Sequence, residues 1–104
     1  MENRVVRIPI DKDKIAEFCK RRRISRFAFF GSVLRDDFGP DSDVDVLVEF
    51  EPGLGITFAN RVEMLDELSA MFGRETDLVD KRYLNNPYRR YEIVSSAETV
   101  YASQ

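Results

Sequence analysis

The residues best suited to chemistry lie in one short stretch of the sequence. Gly31 and Ser32 are followed by ten residues and then by Asp43-Val44-Asp45, with an apolar run on either side. We interpret the stretch as a strand, a tight turn into a short helix, a polar loop and a second strand. Because side chains alternate across a strand, Asp43 and Asp45 should project from the same face.

Two neighbouring carboxylates repel each other unless a positive charge lies between them. Mg²⁺ is the usual partner where phosphates are handled, because it prefers oxygen ligands. Ser32 should lie in the first turn of a helix running to about Asp36, where free backbone N–H groups favour a phosphate. Gly31 permits a sharp turn and a close approach to the ligand. An Asp-x-Asp pair alone is common at surface strand ends, but the combination favours a phosphate site joined to half of a metal site.

The wider stretch FFGSVLRDDFGPDSDVDVLVEF resembles the minimal nucleotidyltransferases of the DNA polymerase β-like superfamily. These are small prokaryotic proteins, and many are the antitoxin partner of a toxin with a HEPN domain. The resemblance runs from about Phe27 to the C-terminus. It implies a polymerase β-like α/β (α+β) fold with a small mixed sheet flanked by helices. One departure is Arg35-Asp36, where family members usually carry Arg-Gly, and the extra negative charge near the phosphate path argues against efficient catalysis.

The composition limits the number of domains, the ligands and the cellular location that we expect. The chain has 104 residues, 43% hydrophobic and 34% charged, which fits a single globular domain over residues 1–104. A formal net charge of −3 gives no electrostatic argument for nucleic acid, and direct nucleic acid binding is not expected. The lone Cys19 and the lack of histidine suit a reducing cytosol and argue against zinc. No apolar run suits a membrane span or signal peptide, so we expect a cytoplasmic protein.

The N-terminal segment is the least determined part of the chain. Met1–Ile10 can form either a short edge strand or an extended arm. A helix should then begin after Asp11 as its N-cap. Arg21–Arg23 should end that helix, and we favour a solvated helix end over a patch that binds phosphate or a partner. Three residues at helical spacing should face the core: Ile15, Phe18 and Cys19.

Two apolar segments, Ser25–Phe30 and Asp43–Phe50, should form the central strands. They must run antiparallel if Gly31, at the end of one, is to share a site with the start of the other. Arg35 lies between them on the predicted short helix. The sequence leaves two roles open for Arg35: contact with a phosphate, or an ion pair with Asp36, Asp37 or Asp41.

The segment Thr57–Phe72 should form the longest helix, with Gly73 as its C-cap. We expect one apolar stripe to face the core, made by Phe58, Val62, Leu65 and Phe72. A second group widens it: Met64, Leu68 and Met71. Such a broad face is usually core, although this second edge could instead meet a partner.

The segment Glu75–Asp80 should form the third strand. A strand–helix–strand crossover of this length makes a parallel pair, so the third strand should lie beside the second. Asp77 then lies next to Asp43 and Asp45, and the resemblance implies the same third carboxylate. Asp80 competes for that role but lies near the far end, and a solvated strand-start residue is the plain alternative for Asp77.

The C-terminal part should add a last helix and a last strand. Pro87 suits the first helical position, with Asn86 as its cap. One face of this helix should carry Tyr88, Tyr91 and Val94, with Arg89 and Arg90 elsewhere. Ala97–Ala102 should return as a short edge strand.

Three carboxylates beside a Gly-Ser turn describe two-metal nucleotidyl transfer, with a hydroxyl attacking the α-phosphate of ATP and pyrophosphate leaving. Asp43 and Asp45 would hold two Mg²⁺ ions, Asp77 would serve as ligand or base, and Gly31, Ser32 and Arg35 would bind the nucleotide. The resemblance implies transfer of AMP to a tyrosine of a cognate HEPN ribonuclease toxin. A non-catalytic antitoxin that masks its toxin is the alternative, a subunit of a larger transferase is a weaker one, and homo-oligomerisation stays open.

Overall fold

A four-stranded sheet holds the candidate site in the computed structural model, which describes residues 6–103. In chain order the elements are α1 (Lys12–Arg22), β1 (Ile24–Phe30), β2 (Val44–Phe50), α2 (Phe58–Phe72), β3 (Thr76–Asp80), α3 (Pro87–Ser96) and β4 (Glu98–Ala102). The strand order is β3-β2-β1-β4, with β2 and β3 parallel and the other neighbours antiparallel. The predicted mixed sheet, its antiparallel central strands and its parallel crossover are therefore confirmed.

The alternation of side chains along β2 decides which residues are buried under which helices. Val44 and Val46 are fully buried in a core cluster that includes residues of α1 and α2. On the opposite face, Leu47 packs with Phe30 of β1 and Ile93 of α3. Asp45 alternates with the two valines, so it projects on the α3 side of the sheet.

The ends of the helices follow the predicted capping chemistry. The side chain of Asp11 accepts hydrogen bonds from the backbone N–H groups of Asp13 and Lys14 at 3.0 and 3.2 Å. Gly73 ends α2 with a positive φ of 68°, and Asn86 caps α3 ahead of Pro87. Within residues 6–103, no helix combines the length and the apolar content that crossing a membrane requires.

The described part of the N-terminal segment is an arm. Residues 6–10 form no strand, but Ile8 is buried in the core. The backbone N–H of Arg7 donates to the carbonyl of Val33 at 2.8 Å. The remainder of the predicted segment, Met1–Val5, lies outside the described residues.

The arginines at the end of α1 have a role that the sequence did not reveal. Arg21 and Arg22 pair with Glu67 of α2, and Arg23, the C-cap, pairs with Glu51. They are not simply a solvated helix end. Ion pairs at the surface contribute little individually, but those of Arg21 and Arg22 link α1 to α2, and that of Arg23 links the end of α1 to the residue after β2.

The predicted stripe on α2 was partly wrong. Met64 and Leu68 are buried, whereas Phe58 is 80% exposed and Val62 39% exposed. Successive helical residues turn by about 100°, so Phe58 and Val62 lie about 80–120° around the axis from Leu68. The sequence predicted a broad apolar face. The residues at its buried centre, Met64 and Leu68, belong to the edge that the sequence analysis offered as a possible contact with a partner.

We therefore predict that Leu68→Ala lowers the free energy of unfolding by about 2–5 kcal/mol, because it leaves a cavity in the core. The matched control Phe58→Ala removes a larger side chain from the same helix. Its effect should stay within about 0.5 kcal/mol, because that side chain is exposed. Urea unfolding measures both, and equal losses would show that α2 packs through a different face.

Candidate active site

Strand register brings two of the predicted carboxylates side by side. Asp45 in β2 stands opposite Asp77 in β3, and on its other side opposite Phe30, the last residue of β1. Asp43 directly precedes β2 and is exposed. Asp80, the competitor for the third position, stands opposite Val48 instead and is buried.

Asp80 has a structural task of its own. Its carboxylate pairs with the guanidinium of Arg82 at 2.7 Å and accepts from the backbone N–H of Arg82 at 3.0 Å. A carboxylate engaged in this way stabilises the turn after β3. Of the two aspartates in β3, Asp77 is therefore the one that lies with Asp45.

Gly31 lies against the carboxylate of Asp45. Its φ is +77°, and a Cβ at this position would lie 2.5 Å from Oδ2 of Asp45. Glycine is thus required twice, for the left-handed backbone and for the space that the carboxylate fills. The hydroxyl of Ser32 donates to the carbonyl of Asp43 at 3.4 Å, which ties the turn to the start of β2.

The short helix predicted to reach about Asp36 was too long. The structure has a four-residue 3-10 turn, Gly31–Leu34, and Arg35 is already extended, with φ −108° and ψ 156°. A turn of this length has almost no helix dipole, so a phosphate here would depend on local N–H groups and nearby cations.

The loop before Asp43 is held by an arginine that no sequence pattern indicated. Arg74 donates to the carbonyls of Gly39 and Ser42 at 2.7 and 3.0 Å. Its guanidinium also lies 4.3 Å from the ring centroid of Phe38. These contacts fix where the loop delivers Asp43.

The charges of the Arg35-Asp36 segment are partly engaged by neighbours. Arg35 pairs with Asp37 at 3.3 Å and at the same time lines the cleft described below. Asp36, whose side chain is 94% exposed, pairs with Arg7 of the N-terminal arm. The carboxylate of Asp36, which stands where the family usually has glycine, is thus paired with a cation from a distant part of the sequence.

The environment of Asp45 disfavours the charged form of its carboxyl group. Its pKa is raised above the ordinary 3.8, first by burial and then by repulsion from Asp77 and Asp43. Arg35 and Arg89 act in the opposite direction. A hard cation among these three aspartates would relieve the repulsion. Within residues 6–103, however, no three carboxylate, histidine or cysteine side chains are already gathered closely enough to hold a metal ion.

Two clefts meet at Arg89 in the first turn of α3. One, of about 450 Å³, is lined by Gly31, Arg35 and Arg89, and the other, of about 370 Å³, by Asp77, Arg61 and Arg89. Arg61 lies 3.9 Å from Asp77 and donates to the carbonyl of Leu78. Both Arg61 and Arg89 were missed from the sequence. Arg89 precedes the buried Ile93 by four residues, and that spacing could have placed it on the sheet side of α3.

Comparison with known proteins shows a family relationship over most of the chain. The family described as nucleotidyltransferase domain matches residues 12–100. The protein adenylyltransferase MntA of Thermococcus cleftensis is 38% identical over 72 residues, which cover 67% of this chain and 69% of that protein. A candidate protein adenylyltransferase of Methanocaldococcus jannaschii is 31% identical over 71 residues, which cover 68% of this chain and 71% of that protein.

Solved structures show the same fold. A candidate minimal nucleotidyltransferase superimposes with a TM-score of 0.68 at 31% identity, covering 83% of this chain and 85% of that one. A toxin–antitoxin structure with AMP-PNP gives 0.72 at 20% identity, covering 91% and 76%. A tri-AMPylated Shewanella oneidensis HEPN toxin in complex with MNT antitoxin gives 0.65 at 20% identity, covering 89% and 71%. The last two share too little sequence to show more than the fold, and together the matches confirm the predicted fold class.

The close approach of Gly31 to Asp45 makes a prediction with an internal control. Gly53 has a similar φ of +80°, and a Cβ added there would meet nothing within 4 Å. Gly53→Ala should therefore cost only the backbone strain, about 1–2 kcal/mol. Gly31→Ala should cost about 1–3 kcal/mol more, because its methyl group collides with the carboxylate.

Urea unfolding of both glycine variants measures these losses. Adding Asp45→Ala to Gly31→Ala should recover the extra loss, as a double-mutant cycle would show. Equal losses at positions 31 and 53, or no recovery, would mean that the turn does not lie against Asp45.

The raised pKa of Asp45 predicts a pH-dependent effect on stability in the absence of metal. A carboxyl group with a raised pKa binds its proton more tightly in the folded state, so folding loses stability as pH rises from about 3.8 through the folded-state value. Asp45→Asn removes that loss. Its gain in free energy of unfolding over the wild type should grow across this window and then level off.

Urea titrations with EDTA at a series of pH values measure this gain. Asp66→Asn, which removes one carboxylate at an exposed position of α2, is the matched control. A gain for Asp45→Asn that is absent at neutral pH would rule out the stressed carboxylate.

Proposed function

The chain belongs to the nucleotidyltransferase domain family, and on this premise we propose that it transfers AMP from ATP to a tyrosine hydroxyl of a cognate HEPN ribonuclease toxin. The observation that carries the proposal is the strand register that sets Asp45 between the Gly31 turn and Asp77. This register would put the phosphates of the nucleotide, at the Gly31 turn, next to an acceptor hydroxyl at Asp77. A cytosolic location is part of the proposal, and the lone, buried Cys19 supports it.

The nucleotide is assigned to the larger cleft. Its volume of about 450 Å³ lies within the range of small-molecule sites. Gly31 and Ser32 would lie against the triphosphate, with Arg35 and Arg89 supplying positive charge. The AMP-PNP complex of a structural relative supports ATP as the substrate.

Three carboxylates form a donor set that fits Mg²⁺, and the repulsion at Asp45 is the observation that supports such a site. Asp43, Asp45 and Asp77 would hold two ions. When bound, Mg²⁺ supplies neutralisation of the triphosphate charge and a lower pKa for the acceptor hydroxyl. The residues themselves supply placement, because Arg74 fixes the loop before Asp43 and Gly31 leaves room for Asp45.

The reaction needs little side-chain chemistry beyond this placement. The acceptor oxygen attacks the α-phosphorus of ATP, the bond from that phosphorus to the bridging oxygen breaks, and pyrophosphate leaves. In this proposal Asp77, which lines the second cleft, would take up the hydroxyl proton, and Arg89, which lines both clefts, would stabilise the developing negative charge. In-line positioning of the two reactants then provides most of the acceleration.

The identity of the acceptor is supported by relatives. One of them is named a protein adenylyltransferase, and a structural relative is an MNT antitoxin bound to a tri-AMPylated HEPN toxin. Masking without catalysis is the competing function. The sequence argument for masking was Asp36, and its ion pair with Arg7 weakens that argument.

A transfer assay separates the two functions. We expect that incubation of a cognate HEPN-domain toxin with ATP, Mg²⁺ and this protein adds one or more AMP units to a tyrosine of the toxin, seen by intact mass and peptide mapping. Inactivation of the toxin should persist after this protein is removed. Asp43→Asn should abolish both the modification and the lasting inactivation. Asp66→Asn, at an exposed position of α2, should retain them.

An unmodified toxin that regains full ribonuclease activity after separation would overturn the enzymatic proposal and favour masking. Wild-type modification that Asp43→Asn leaves intact would instead show that the chemistry lies elsewhere.

A further inference from the structure

We propose that the acceptor protein docks on an exposed aromatic rim beside Asp77, formed by Phe58 and Tyr83. We call these two residues the acceptor rim. The inference rests on the proposed transfer of AMP and adds the direction from which the acceptor enters.

The two clefts give the site two sides. Arg89 lines both clefts, so it lies at their boundary. The larger cleft contains the Gly31 turn and Arg35, whereas the second contains Asp77 and Tyr83. If the nucleotide occupies the larger cleft, an acceptor hydroxyl reaches the α-phosphate through the second one.

The acceptor rim continues that second cleft across the surface. A smaller hollow of about 110 Å³ is lined by Phe58, Arg61 and Tyr83, and it shares the last two with the cleft of Asp77. Phe58 is 80% exposed and Tyr83 is 73% exposed. Large aromatic side chains are enriched in protein interfaces, where they provide much of the binding energy.

Tyr83 is held in place rather than simply left outside. It belongs to the 3-10 turn Lys81–Tyr83, in which the side chain of the buried Asp80 accepts from the backbone N–H of Arg82. The guanidinium of Arg82 pairs with Asp80 at 2.7 Å and lies 5.6 Å from the ring centroid of Tyr83. A pre-positioned aromatic ring loses less conformational entropy on binding than a mobile one.

The chemistry of this surface suits an aromatic acceptor. Arg61 and Arg89 line the second cleft and can lie against the face of an incoming tyrosine ring, while Asp77 accepts its hydroxyl. An acceptor chain that lies across the adjoining rim can bring its hydroxyl to Asp77, because the hollow and the cleft share Arg61 and Tyr83. Continuity with the cleft of Asp77 therefore favours the acceptor protein over a second copy of this chain.

Steady-state kinetics with a cognate HEPN-domain toxin as acceptor tests the proposal. The combined variant Phe58→Ala and Tyr83→Ala should raise the KM for the acceptor at least tenfold. Its kcat at saturating acceptor and its calorimetric affinity for ATP should change less than twofold. The matched control is Tyr91→Ala, which removes a tyrosine that is 76% exposed on α3. Two helical positions separate Tyr91 from Arg89, so it points away from the cleft and should leave every value unchanged.

A photo-crosslinking measurement does not depend on the kinetic effect. p-Benzoylphenylalanine replacing Tyr83 should crosslink to the acceptor, and the same group replacing Tyr91 should not.

Three results would overturn the proposal. If the combined variant had the same acceptor KM as Tyr91→Ala, the docking surface would be wrong, while AMP transfer would remain supported. If the combined variant alone sedimented as a smaller species than the wild type, and its acceptor KM were unaffected, the rim would instead be a contact with a second copy of this chain. Wild-type protein that binds ATP but transfers no AMP would overturn the proposed function, and the acceptor rim with it.

Discussion

The contact between the carboxylate of Asp45 and the turn at Gly31 is the constraint on which the rest of the site depends. It exists because β1 ends where β2 begins, so that Phe30 stands opposite Asp45. The parallel crossover then sets Asp77 on the other side of Asp45. A glycine with positive φ leaves the space that the carboxylate occupies. The register of three strands thereby brings the Gly31 turn together with the carboxylates of Asp45 and Asp77. A local sequence motif alone could not do this.

The charges around this contact divide into two classes. Carboxylates with structural tasks have cationic partners close by, as Asp36 has in Arg7 and Asp80 has in Arg82. Within residues 6–103, by contrast, no lysine or arginine lies within ion-pair distance of Asp43 or Asp45. The fold therefore bears a repulsion at Asp45, its most buried site carboxylate, that Arg35 and Arg89 offset only in part. Such residual repulsion is common where a ligand or cation supplies the missing charge.

The sequence allowed the sheet to be predicted because its signals are local and strong. Alternating valines fixed the faces of β2, and the position of Asp43–Asp45 relative to Gly31 required antiparallel central strands. What could not be predicted is made by contacts between distant segments. Arg61 and Arg89 reach the site from two different helices. Helical spacing to Ile93 could place Arg89 on the sheet side of α3, but it does not indicate which cleft the guanidinium lines. The length of the 3-10 turn also escaped prediction, because the extended backbone of Arg35 follows from its surroundings rather than from propensity.

The central claim is that Asp45, its neighbouring aspartates and the Gly31 turn form one site for a metal-bound nucleotide. Crystals grown with Mn²⁺ and AMP-PNP test this directly through the anomalous scattering of manganese. We expect an anomalous peak at coordination distance from the carboxylates of Asp43 and Asp45, with the phosphates against Gly31 and Ser32. A nucleotide bound away from the turn, or manganese held by phosphates alone and remote from Asp45, would contradict it.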